Sequence, residues 1–148
     1  MSTIARILLS SLIGAVVCAI LSFLMFFLLV VYDGQVYNDQ KLIEALAYSF
    51  VVGMLAAFIG AIIGLAVGIG DLGVIGGGVV GFLGTLIVVA NYVYSTAANS
   101  SQYAYFLSES RIIFVVLSLP TILTGAITAL LKNLIIKSKS RLSSPYQS

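Results

Sequence analysis

The sequence predicts an all-α integral membrane protein, a four-helix bundle with a tight glycine-rich hairpin between helices two and three. Three observations carry this. Hydrophobic residues make up 61 % of the 148 and charged residues 8 %, whereas a soluble domain carries roughly 25 % charged residues to face water all round. The few charges are placed so that four uncharged or nearly uncharged runs remain, each at or above the about 20 residues a helix needs to cross a bilayer. Most of the 14 glycines fall between Gly53 and Gly84, on both sides of a single charge, Asp71.

The first run, residues 7–32, follows Arg6. A signal-peptide apolar region is about 7–15 residues long. This run is much longer and lacks a small-x-small site before its polar flank, so it reads as a retained span. Val16-Val17-Cys18 does not fit a lipoprotein cleavage site. Gly14, Cys18 and Ser22 recur every four residues and mark one face for close helix contact. Asp33-Gly34 is a turn signal, and Asn38 or Asp39 can cap the next helix by accepting a free first-turn amide.

The second run covers residues 45–69 and the third residues 72–94, joined by Gly70-Asp71-Leu72-Gly73. Gly60, Gly64 and Gly68 form one four-residue ladder, continued from Ala56. Gly73, Gly77 and Gly81 form another, continued to Thr85. Residues four apart share a helix face, and glycines on a face let backbones approach. The expectation is that the two ladders face each other across the hairpin. Each run spans without the other, so Asp71 is expected at a surface turn rather than in a re-entrant segment.

Residues 95–111 read as a loop whose Tyr103, Tyr105 and Phe106 suit a membrane interface. Asn99-Ser100-Ser101 matches the glycosylation sequon, a pattern common by chance. The fourth run covers residues 112–136, with Lys132 expected to snorkel to the surface. Pro120 removes one helix hydrogen bond and predicts a kink. Ser118, Thr121, Thr124 and Thr128 gather beside it, together with Gly125. Their hydroxyls can satisfy freed carbonyls or bond a neighbouring helix. Residues 137–148 form a basic, serine-rich tail.

Four spans put both termini on one side. Arg6, Lys132, Lys137, Lys139 and Arg141 lie there, against Lys41 and Arg111 opposite. That bias predicts cytoplasmic termini in a plasma or inner membrane. Most tyrosines, and Phe23, Phe26, Phe27, Phe50 and Phe114, fall toward the other side. Spans two and three are therefore expected to touch near the turn and splay toward a cleft between aromatic outer halves.

Chemistry is sparse. The chain has no His and one Cys, which removes the commonest catalytic base, metal-ligand clusters and an internal disulfide. The glycine stretch holds no Lys and is no phosphate loop. Its Gly73–Gly78 segment, GVIGGG, lacks dinucleotide-binding spacing. Charges deep in spans mark pumps, and none is read here. A formal charge of +2 gives no argument for nucleic acid. No catalytic, cofactor or metal residue is assigned. The expected role is a non-enzymatic accessory, assembly or structural interaction subunit, its partners the lipid bilayer and a membrane protein or a second copy. The other reading is a small oligomeric transporter or channel for an uncharged or apolar solute, using the Pro120 kink and its hydroxyl face.

Overall fold

A computed structural model of the chain describes residues 2–32, 34, 36, 38–97 and 103–142. The sequon Asn99-Ser100-Ser101 lies outside the described residues, as do the side chains of Tyr103, Tyr105 and Phe106 and the end of the tail. Four helices are present: α1 (Thr3–Tyr32), α2 (Asp39–Ile69), α3 (Val74–Ala97) and α4 (Tyr103–Leu142). All four contain a segment long and apolar enough to cross a membrane.

Each boundary has a local cause. Asn38 caps α2: its backbone is extended and its Oδ1 accepts from the Lys41 amide at 2.8 Å. Replacing Asn38 with Ala is expected to cost about 1 kcal/mol, read as a lower unfolding midpoint in detergent. At the other end of α2, Gly70 remains helical and Asp71 turns left-handed at φ 49°. The Leu72 amide then reaches back to the Val67 carbonyl at 3.3 Å. This is the six-to-one bond of a Schellman motif, whose left-handed position glycine usually fills. α3 starts at once, with the Gly77 amide bonded to the Gly73 carbonyl at 2.8 Å.

α4 departs from expectation. It begins at Tyr103 and runs for 40 residues, roughly 60 Å of helix against a hydrocarbon layer of about 30 Å. The segment expected to be loop up to Arg111 lacks Gly and Pro and carries helix formers such as Ala104, Leu107 and Glu109, so the helix extends back through it. Its membrane-length apolar part is Ser118–Ser138.

The helices associate as two antiparallel pairs. α1 packs along α2, and α3 along α4; α4 also leans on α1 and, less, on α2. Among the described residues, α2 and α3 share less contact than the other packed pairs, and α1 and α3 do not touch. An apolar cluster of Ile63, Val67 and Ala129, flanked by Ile59 and Val80, joins α2, α3 and α4. Apart from Pro120 and Lys132, the other buried residues among those described are small or hydroxylic. On α1, Ser10, Gly14, Cys18 and Ser22 are buried while Leu8, Leu12, Val16, Ile20, Leu24 and Leu28 are exposed. A helix that hides its serines and shows its leucines is the reverse of a soluble amphipathic helix.

Candidate functional site

The glycine ladders lie at the closest approaches in the bundle, but not against each other. Gly60 and Gly64 face α1. A Cβ on Gly60 would collide with the Gly14 carbonyl oxygen, one on Gly14 with the Gly60 oxygen, and one on Gly64 with the Ser10 oxygen. Gly68 follows, with Ile7 Cα 2.9 Å from the position its Cβ would take. Gly77 and Gly81 face α4: a Cβ on Gly77 would meet the Gly125 oxygen, one on Gly125 the Gly77 oxygen, and one on Gly81 the Thr121 oxygen. Each pair thus has a reciprocal glycine-to-carbonyl contact. Backbones this close allow Cα–H···O interactions in place of side-chain packing.

The expected apposition of α2 and α3 through their ladders is therefore corrected. The turn joins the two helices, yet their small faces look away from each other. The reason lies on α1 and α4, which carry matching small faces at the same spacing: Ser10-Gly14-Cys18 and Thr121-Gly125-Ala129. Gly73 leaves the ladder altogether. It sits in the turn with nothing within 4 Å of a built Cβ. Where α2 and α3 do meet, Gly84 lies 3.6 Å from Ile63 on the same basis. The expected aromatic cleft also changes place. An apolar groove of about 640 Å³ lies between α1 and α2, lined among others by Phe23, Phe50, Gly53 and Phe58. Between α3 and α4, Phe82 and Phe114 meet edge to face at 5.8 Å.

The hydroxyl residues of α4 turn into the bundle. Thr121 Oγ1 bonds the Thr85 hydroxyl of α3 and donates to the Ser118 carbonyl at 3.0 Å. Thr124 Oγ1 donates to the Pro120 carbonyl at 2.6 Å and also interacts with the Cys18 thiol of α1. Pro120, Thr124 and Thr128 are fully buried, and Thr121 nearly so. Ser118 is half-buried. The Thr128 hydroxyl has no hydrogen-bond partner among the described residues. On α1, Ser11 Oγ donates across the pair to the Ala61 carbonyl at 3.1 Å.

At the turn end of the bundle, the structure brings together three charged residues. Lys132 Nζ donates to Asp71 Oδ1 at 3.0 Å and to the Leu72 carbonyl at 3.2 Å. Arg6 Nη1 lies 3.3 Å from the same Asp71 oxygen. Lys132 is 0 % exposed while the Asp71 side chain is 62 % exposed. The expected snorkelling of Lys132 is corrected accordingly: its amine does reach the helix end, but under cover, against the turn. The hydrogen bond from Lys132, then the charges of Lys132 and Arg6, hold the Asp71 carboxyl below its ordinary range. Sequence reasoning placed all three residues at one end but did not pair them. The available signal was topological: two even crossings return α4 to the end where α1 starts.

Among the described residues, no group of His, Cys, Asp and Glu could hold a metal ion. No family model, no curated protein and no solved structure matches this chain.

Proposed function

We propose that this chain is a multi-pass membrane protein that acts as an accessory or structural interaction subunit, without catalytic chemistry of its own. In this reading all four helices cross the bilayer, with both termini on the cytoplasmic side of a plasma or inner membrane. The observation that carries the reading is the fate of the α4 hydroxyls. Thr121 and Thr124 are spent against α1, α3 and their own backbone, and Thr124 and Thr128 have no exposed surface. A solute pathway through the Pro120 region would need those groups to line wet space. The outward leucines, isoleucines and phenylalanines support lipid as the solvent. The lysine and arginine bias supports the orientation.

Because the ladders are occupied within the chain, a partner would have to dock on other surfaces. Purification in mild detergent should recover a stoichiometric membrane-protein partner or a defined homo-oligomer; a partner-free monomer would overturn the reading. Solvent access separates it from the transporter. In a Cys18→Ser background, Thr128→Cys should resist a membrane-impermeant maleimide, while Gly73→Cys reacts readily. Equal labelling rates at the two positions would favour the transporter.

A further inference from the structure

We infer that the turn end of the bundle is a docking site for the headgroup of an anionic phospholipid, centred on Arg6. The inference rests on the membrane reading above and adds a partner to it.

Charge comes first. Two cations, Arg6 and Lys132, converge on one oxygen of one carboxylate, so the cluster keeps one unit of positive charge. Lys132 is sealed from solvent, which leaves the surplus on Arg6, whose side chain is 26 % exposed. The Arg6 Nε–H is buried without a partner among the described residues, so a headgroup would meet the exposed part of the side chain. A guanidinium fork matches a phosphate, which offers several acceptor oxygens. The C-terminal end of α4 adds Lys137, Lys139 and Arg141 to the same end of the bundle. Among the described residues, Asp71 is the acid of the turn, while Asp39 and Glu44 lie in the first turns of α2, at its other end.

Space and apolar surface come second. Gly73 has open space where a side chain would stand, two residues from Asp71. Ile4, Leu8 and Ile69 are well exposed at the same end, and Ile75 is 86 % exposed. A surplus cation at the end of the bundle where apolar side chains are exposed fits a molecule with both a phosphate and acyl chains. A free phosphate ion would use only the first half of that surface. Basic sites at helix ends recruit anionic lipid in this way.

The test uses the full chain in nanodiscs of phosphatidylcholine containing one-fifth phosphatidylglycerol. Lipids retained by the protein are weighed by native mass spectrometry. The ratio of phosphatidylglycerol to phosphatidylcholine among the retained lipids should be about fivefold above the bulk ratio, the effect of one well-placed cation. Arg6→Gln should bring the ratio close to bulk, whereas Lys41→Gln at the opposite end should leave it unchanged. In the unaltered protein, raising the salt from 50 mM to 500 mM should shrink the enrichment, an arm that does not depend on any variant folding. Retention at the bulk ratio, or enrichment that survives Arg6→Gln, overturns the site. Release of the lipid by millimolar inorganic phosphate overturns the lipid as its occupant. Failure to enter the nanodisc at all would instead count against the membrane reading.

Discussion

Changing Gly77 to Ala should unfold or disassemble the protein, while the same change at Gly73 should be nearly silent. The two glycines are four residues apart and look alike in the sequence. At Gly77 the new methyl would coincide with the Gly125 carbonyl oxygen, a backbone atom that cannot swing away. The α3/α4 pair must separate, and the reciprocal contact at Gly125 is lost with it. Overpacking alone costs about 1–3 kcal/mol, and loss of the seam adds to that. Gly64→Leu should be worse, since its Cβ would already meet the Ser10 carbonyl of α1. At Gly73 the space is open and the backbone is not left-handed. There the alanine restricts the unfolded chain and should be neutral or stabilising by about 0.4–1 kcal/mol. The check is the monodisperse fraction and unfolding midpoint of each variant in one detergent. If Gly77→Ala matched the wild type, the seams would not hold the bundle.

This contrast also shows where sequence reasoning stops. The helices were legible because their cause is local: apolar runs bounded by Asn38, by the Gly70–Gly73 turn and by charges. The four-residue spacing was legible too, and it marks faces made for close contact. What spacing cannot say is which face meets which. Two ladders beside one turn suggest mutual pairing, yet Gly14 on α1 and Gly125 on α4, a single glycine each in long apolar runs, are the true counterparts. Their signal was present but faint, carried by Ser10, Cys18, Thr121 and Ala129 rather than by more glycine. The expected loop at 95–111 is cut back from both sides for another reason, α3 running to Ala97 and α4 starting at Tyr103. Polarity marked the stretch as loop, but polarity without Gly or Pro does not end a helix. The ion cluster was missed because pairing depends on three-dimensional reach. Lys132 lies 61 positions from Asp71, and only the return of α4 to the turn joins them.

Neutralising Asp71 should destabilise the protein more than removing Lys132, and removing both charges together should restore most of the loss. Asn at position 71 keeps the tolerance for a left-handed backbone, so Asp71→Asn tests charge rather than turn geometry. It leaves Lys132, fully covered, with neutral acceptors alone, the new amide oxygen and the Leu72 carbonyl, and a neighbouring Arg6. A covered charge stripped of its counter-ion is costly, whereas an apolar residue of similar length in the same place is tolerated. Lys132→Met should therefore be mild: it frees Asp71, which stays largely in solvent and keeps Arg6 beside it. In the double variant no charge is stranded, and its unfolding midpoint should lie near that of Lys132→Met. Acid should act on the wild type through the same group. The folded carboxyl titrates below its unfolded value, so the cluster's contribution is complete above the unfolded pKa of about 4. It fades as pH falls through the lowered folded value. Asp71→Asn should lose that part of the acid sensitivity. An equal loss from Asp71→Asn and Lys132→Met, with no recovery in the double variant, would mean that Asp71 acts through the shape of the turn and not through its charge.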